Sequence, residues 1–123
     1  MNKLYKSLLL IVTALTLSVI QSHSLEKAIS SDDRSPKNIL RDSARHPNQT
    51  ISFFGIESDM TVVELSPGGG WYTEILANYI HYPGTLIAAH FNPDAGDYYA
   101  RSRGRFEEKM ESSPVYGLSL IHI

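Results

Sequence analysis

The sequence contains no cysteine. Disulfide bonds and a lipid-modified cysteine are therefore excluded, and the folded chain must rely on its hydrophobic core. Its 123 residues suffice for one domain at most. Its apolar run at residues 8–20 is shorter than the roughly 20 residues that a membrane-spanning helix needs.

An excess of basic residues is also lacking. The chain has 11 Lys and Arg against 13 Asp and Glu. Two of the basic residues, Lys3 and Lys6, precede Leu25, so 9 basic and 13 acidic residues remain from there on, for a net charge near −4. A partner that is a nucleic acid is therefore not expected.

Residues 1–24 resemble an export signal in three respects. They have a basic start, an apolar core over residues 8–20, and small residues before a cut that would precede Leu25. The residues concerned are Lys3 and Lys6 at the start, and Ser22 and Ser24 before the cut. We expect cleavage after Ser24, export to the bacterial periplasm, and membrane contact only during export.

Residues 25–58 are polar and predict a helical lead-in. Within residues 36–44, three apolar side chains could share one helix face, and a second helix is predicted from Pro47. Gly55 is well placed as the left-handed cap of that second helix. The apolar residues concerned are Ile39, Leu40 and Ala44 in the first piece, and Ile51 and Phe54 in the second.

The stretch around residues 60–80 predicts a strand, a glycine loop and a helix, in that order. Val62, Val63 and Leu65 indicate a short buried strand, and residues 67–70 have little capacity for regular structure. The helix is predicted from helical spacing of Tyr72, Ile75, Leu76, Tyr79 and Ile80. Such a loop lets backbone N–H groups approach a ligand, which predicts a nucleotide-type cofactor site.

Residues 81–123 are predicted to continue the alternation of strands and helices. A turn is predicted at residues 81–84, an almost wholly apolar strand at 85–91, and a helix from 92–94 until the stop at 112–114. Tyr99, Phe106 and Met110 are expected to face the sheet. An apolar run at 118–123 predicts a third strand, in which the sequence ends.

These elements predict an α/β fold with a Rossmann-like parallel sheet of βαβαβ topology. Residues 59–123 would form a partial cofactor-binding domain. Because the sequence ends within an apolar run, we expect a truncated N-terminal half of a larger fold. Alone, it is expected to associate and to show no enzyme activity.

The residues of the glycine loop distinguish between several classes of binding or catalytic motif. A P-loop needs Lys and then Ser or Thr at the helix start, where Trp71 and Tyr72 stand instead. A dinucleotide fingerprint needs a third glycine at the position of Thr73. A hydrolase nucleophile at Ser66 would need the backbone N–H of residue 67, which is a proline.

Residues 64–70, with the sequence ELSPGGG, resemble the E/D-x-G-x-G-x-G loop of class I S-adenosylmethionine-dependent methyltransferases. More broadly, the chain is similar to a bacterial group of exported, predicted methyltransferases over about residues 34–117. The matching motifs are Arg45-His46-Pro47, Phe53-Phe54-Gly55 and the run VELSPGGGWYTE at residues 63–74.

This resemblance implies S-adenosyl-L-methionine as the cofactor, with roles for residues of the loop. Glu64 would hold the methionine amino end of the cofactor. The backbone at Ser66, Gly68, Gly69 and Gly70 would line its ribose and amino-acid portion. Tyr72 and Thr73 would border the loop. Independently of the resemblance, a carboxylate at the end of a buried strand should meet a cation or several hydrogen-bond donors.

The sequence departs from the family where the second strand ends. A carboxylate usually binds the ribose hydroxyls there, whereas this chain has His90, which cannot accept two hydrogen bonds from a diol. Asp94, from the next turn, is an alternative ribose ligand. A third interpretation is that His90 is satisfied by water or backbone.

Two other functions stay open. One is an exported, non-catalytic protein that binds a nucleotide or other small molecule on the same scaffold, because S-adenosylmethionine is made inside cells. The other is an NAD-linked oxidoreductase, against which Thr73 argues. No metal is expected from the sequence. The methyl acceptor is not indicated by the sequence.

Overall fold

A computed structural model of the chain describes residues 24–117 and 120–122, with side chains up to Tyr116. The expected export signal, apart from Ser24, and part of the expected third strand lie outside the described residues. No helix within them is long and apolar enough to cross a membrane. The elements are α1 Leu25–Ile29, α2 Pro36–Ile39, α3 Asp42–Arg45, α4 Pro47–Phe53, β1 Thr61–Leu65, α5 Trp71–Tyr79, β2 Thr85–Ala89, a 3₁₀ turn Pro93–Ala95, α6 Asp97–Glu111, α7 Pro114–Gly117 and β3 Leu120–His122.

Local capping residues set the ends of two lead-in helices. Ser24 precedes α1, and its Oγ accepts the Lys27 N–H at 3.2 Å. Pro47 is the first residue of α4, where its missing N–H costs nothing. Gly55 follows the end of α4 with φ of 64°, a left-handed conformation that favours glycine. The predicted helix from Pro47 and its glycine cap are confirmed.

The segment at residues 36–45 differs from the prediction. It forms two separate turns, α2 and α3, and both Ile39 and Leu40 are exposed. The buried residue of α2 is Asn38, whose carbonyl accepts the Trp71 indole N–H at 2.9 Å. A buried indole N–H needs an acceptor. The bond to Asn38 therefore orients the turn and leaves Ile39 and Leu40 exposed to solvent.

The three strands form one parallel sheet in the order β1-β2-β3. Val63 of β1 pairs with Ile87 of β2, and Ile87 pairs with Ile121 of β3. Helix α5 connects the first two strands, and the second connection contains the 3₁₀ turn, α6 and α7. The chain is therefore a mixed α/β protein with βαβαβ topology, as predicted.

The helices cover one face of the sheet. Leu86 and Ala88 of β2 are buried on that face, and Val62 of β1 is half-buried beside them. On the opposite face, Val63 is 51% and Leu65 77% exposed. The prediction that β1 is a buried strand is therefore wrong, because no described helix packs on this second face.

One hydrophobic core joins the lead-in helices to the sheet and α5. Phe106 and Met110 of α6 are buried in it, as predicted. Tyr99 is exposed instead, because the first part of α6 packs beside the 3₁₀ turn, where its ring meets that of Phe91 at 5.2 Å. The buried members are Leu25, Ala28, Ile51, Trp71, Ile75, Leu76, Ala77, Tyr79, Ile80, Leu86, Ala88, Phe106, Met110 and Tyr116.

The turn before β2 is tightly packed against the lead-in. Gly84 donates its N–H to the His81 carbonyl at 2.7 Å, and the His81 N–H bonds to the Ser58 carbonyl at 2.7 Å. A Cβ on Gly84 would lie 2.7 Å from that Ser58 oxygen. Only glycine fits here, which explains the predicted turn at residues 81–84.

Candidate functional site

Three alternate residues of the loop between β1 and α5 have a left-handed backbone conformation. Ser66, Gly68 and Gly70 have φ of 52°, 58° and 77°. Ser66 donates its N–H to the Ala89 carbonyl at 2.8 Å, and Gly70 donates to Pro67 at 2.9 Å. Gly68 and Gly69 form the crest of the loop between these bonds, with Gly68 half-buried and Gly69 exposed. At both positions an added Cβ would meet no atom closer than 3.9 Å.

Gly70 differs from Gly68 and Gly69. It is buried, and a Cβ there would lie 3.3 Å from the Phe106 ring and 3.6 Å from the Met110 side chain. Its N–H is already bonded to Pro67. Gly70 therefore has a packing role, and Gly68 and Gly69 are the glycines that a ligand could approach.

Glu64 lies at the carboxyl end of β1 and reaches the start of α5. Its Oε2 accepts a hydrogen bond from Thr73 Oγ1 at 2.6 Å. Since Gly70, the residue before α5, has no side chain, Glu64 takes over the capping of the helix start. Burial raises the pKa of Glu64, and the hydrogen bonds from Thr73 and the charge of Lys109 offset this only in part.

None of the ion pairs among the described side chains includes Glu64. The expectation that this carboxylate meets several donors is thus confirmed for the side-chain and backbone donors of Thr73. A cation in direct contact with it is not found among the described residues. Glu64 is consequently a half-buried carboxylate with its charge incompletely compensated.

Two side chains hold the loop from the side of β2 and α6. His90 Nδ1 accepts the Phe91 N–H at 2.7 Å, which places the ring proton on Nε2, and Nε2 donates to the Gly68 carbonyl at 3.2 Å. Lys109 Nζ donates to the Gly69 carbonyl at 3.0 Å. Both ring nitrogens of His90 are thus engaged by backbone, which favours the structural interpretation of this residue over ribose binding.

Lys109 also belongs to a buried charge cluster under the loop. It forms an ion pair with Glu74, whose side chain is 0% exposed and also accepts from Ser35 Oγ at 2.8 Å. Arg34 Nε lies 3.9 Å from Glu74 Oε2, and the same guanidinium is held by both oxygens of Asp42. Ion pairs directly behind the glycine loop therefore connect the lead-in, α5 and α6.

A cavity of about 290 Å³ opens beside the crest of the loop. Gly68 and Gly69 form one wall, and α6 forms the other with Ser102 and Arg105. Three aromatic rings complete it, those of Phe91, Tyr98 and Phe106. Aromatic rings, a guanidinium and open backbone suit a planar polar ligand.

A second cavity, of about 180 Å³, lies between α4, β1 and α5 and is lined in part by Glu64. Its walls are mainly aliphatic and aromatic, and Glu64 is the one carboxylate among its lining residues. Tyr72 lines this second cavity and not the first, with Arg45 stacked 6.0 Å above its ring. Tyr72 therefore borders the loop from the side of the apolar cavity.

Asp94 is not brought to either cavity. It is exposed in the 3₁₀ turn, where its backbone N–H bonds to Asn92 Oδ1 at 2.9 Å. Thr73 is fully buried and committed to Glu64. The structure thus groups Glu64 with Thr73, and Gly68 and Gly69 with His90, and it separates Asp94 from both groups.

Sequence reasoning missed the residues of α6 and the charge cluster. Arg105 and Lys109 lie one helical turn apart, a spacing that the sequence displays, but the sequence does not indicate that this face meets a loop about 40 residues earlier. Glu74 and Arg34 gave no signal, because charged residues are normally exposed.

Among the residues that the structure describes, no three His, Cys, Asp or Glu side chains come close enough to hold a metal ion. Comparisons with known proteins found no family model, no curated protein and no solved structure that matches this chain.

Proposed function

We propose that the chain binds S-adenosyl-L-methionine, as the Rossmann-like cofactor-binding part of a class I methyltransferase. The observation that carries the proposal is the pairing of Glu64, a carboxylate without an ion pair among the described side chains, with an adjacent glycine crest that a ligand can approach. The cofactor has a cationic sulfonium and an ammonium group. Either charge would compensate that of Glu64.

The chemistry of the larger cavity supports the proposal. Gly68 and Gly69 would meet the cofactor through backbone, and Phe91 and Tyr98 offer rings for a base to stack on. Arg105, at the same cavity, suits a carboxylate. Methyl transfer needs no nucleophile from the protein, because positioning of the reactive methyl group can supply much of the rate.

An NAD-linked function fits less well. A dinucleotide fingerprint needs a third glycine so that helix and strand pack closely, and Thr73 occupies this position with its hydroxyl bonded to Glu64. A non-catalytic binding protein would use the same cavity. It therefore makes the same prediction for cofactor affinity and differs only in lacking methyl transfer.

Calorimetric titration of the full chain with S-adenosylmethionine, its demethylated product and NAD tests the proposal. We expect saturable binding of the first two and weaker binding of NAD. Glu64→Gln, which retains an acceptor for Thr73 but loses the charge, should weaken S-adenosylmethionine binding about tenfold or more. Tighter binding of NAD, or equal affinity in the Glu64→Gln variant, would refute the assignment.

Export through residues 1–24 is proposed on the sequence pattern alone. A cut after Ser24 would remove the residue whose Oγ caps α1, at a cost of about 1 kcal/mol. It would leave Leu25, which is buried, as the first residue. Mass spectrometry of the mature N-terminus should find Leu25 first. A chain that retains Met1 in the cytoplasmic fraction would contradict export.

A further inference from the structure

Apart from Glu64, the residues that line the apolar cavity between α4, β1 and α5 have no role in cofactor binding as proposed above. Ile51, Ile56, Val62 and Leu76 supply aliphatic walls, and Phe54 closes one side with a ring that is 69% exposed. A ligand with an anionic group is disfavoured here, since its charge would be buried among apolar walls beside the Glu64 carboxylate. The cavity suits a ligand with an apolar body.

The volume limits the size of that ligand. A cavity of about 150 Å³ lined by aliphatic and aromatic side chains accommodates benzene, and the present one measures about 180 Å³. One six-membered ring with a small substituent therefore fits. A fused ring system or a long chain would extend through the open side.

Polar groups of the cavity restrict the chemistry of the ligand further. The Thr50 hydroxyl is already bonded to the His46 carbonyl at 3.0 Å. The Glu64 carboxylate has about four acceptor positions, of which Thr73 uses two through its hydroxyl and its backbone N–H. A carboxylate accepts but does not donate, so the matching group on the ligand is a hydrogen-bond donor.

We propose that this cavity binds the methyl acceptor, a compact apolar molecule of about one ring that carries a hydroxyl group directed at Glu64. The acceptor role depends on the function proposed above, whereas the binding of such a molecule does not. Glu64 lines this cavity, and Gly68 of the loop that follows it lines the larger one. With the cofactor bound as proposed, Glu64 would take the hydroxyl proton, the acceptor oxygen would form the new bond to the methyl carbon, and the sulfur would keep the electron pair of the bond that breaks.

The test uses p-cresol as the probe and toluene, which lacks the hydroxyl, as its matched control. Both are titrated into the full chain without cofactor and followed by ligand-observed NMR. Two adjacent phenylalanines provide the variants. Phe54 lines the cavity, whereas Phe53 does not, and the two are 69% and 84% exposed, so either can be truncated without opening the core.

We expect saturable binding of p-cresol that is tighter than that of toluene. Phe54→Ala should weaken it about tenfold, and Phe53→Ala should change it less than twofold. Absence of saturable binding, equal affinity of the two probes, or equal effects of the two variants would overturn the proposal. A chain that binds p-cresol as expected but does not bind S-adenosylmethionine would refute the proposed function alone.

Discussion

Gly68 and Gly55 have nearly the same backbone conformation, with φ of 58° and 64°, and a Cβ on either would meet no atom closer than 3.9 Å. Alanine should therefore strain both positions equally, by about 1 kcal/mol in the free energy of unfolding. Gly68→Ala should also weaken cofactor binding, whereas Gly55→Ala should not, and Gly68→Val should abolish it. Paired denaturation and binding curves check this. Equal cofactor affinity in both alanine variants would mean that the loop is only structural.

Glu64 provides a prediction for pH. Its folded-state pKa is raised above 4.5, so the folded chain holds this proton more tightly than the unfolded chain does. The contribution of Glu64 to stability is therefore present below pH 4.5 and is lost as the pH rises through the raised pKa. Glu64→Gln should remove this dependence and be at least as stable as the wild type at neutral pH.

Urea denaturation of the two proteins at a series of pH values measures the difference. The Glu64→Gln variant is the matched control for all other carboxylates, which it retains. A variant that is clearly less stable than the wild type at neutral pH would show that the carboxylate of Glu64 is a stabilising cap. The cofactor role would then lose its physical basis.

At the scale of elements, the charge cluster fixes α6 against α5. The Glu74 side chain is fully buried, and that of Lys109 is 24% exposed. Removal of one partner leaves a buried charge poorly compensated, so Glu74→Gln and Lys109→Met should each destabilise the fold, by roughly 2–4 kcal/mol for Glu74 and less for Lys109. The double variant should be more stable than the sum of the two changes predicts.

A double-mutant cycle measured by denaturation quantifies this coupling. Since Lys109 also bonds to Gly69, Lys109→Arg should retain much of the stability of the wild type. Additive effects of Glu74→Gln and Lys109→Met would contradict a direct pair. Coupling of more than about 1 kcal/mol would support it.

Periodicity and turn chemistry predicted the order and type of most elements. The glycine at position 55, the turn before β2 and the buried face of α5 follow from local rules that a sequence displays. The exposure of Val63 and Leu65 did not follow, because an apolar strand has the same letters whether one or both faces are covered. The segment at residues 36–45 was mispredicted, because the sequence does not show that the Trp71 indole bonds to the Asn38 carbonyl in the first of its two turns.

The candidate site was predictable to a similar extent. Glu64 and the glycine loop were identified from their motif, and the structure brings them together. The partners of His90 and Lys109 were not predictable, because both side chains bond to backbone carbonyls of the loop, and any residue supplies a carbonyl.

At the scale of the whole molecule, the open face of the sheet determines solution behaviour. Within the described residues β1 pairs only with β2, and Leu65 beside this open edge is 77% exposed. Such an edge and face favour association between chains. We expect concentration-dependent oligomers in analytical ultracentrifugation.

Leu65→Lys should reduce this association without loss of stability, because its side chain points away from the described core. Tyr82→Lys serves as the control, since Tyr82 is exposed and remote in sequence from β1. This variant should leave association unchanged. A wild-type chain that stays monomeric at all concentrations would contradict the account of the open face.

The central claim is that a cofactor binds on the glycine crest next to Glu64. It is tested most directly by titration of the demethylated cofactor product, S-adenosylhomocysteine, into the ¹⁵N-labelled chain carrying Leu65→Lys. We predict saturable shifts of the amide signals of Gly68, Gly69 and Phe91, and little change at Gly55. Saturable shifts confined to other regions, or no saturable shifts in a chain that gives a folded spectrum, would contradict the claim.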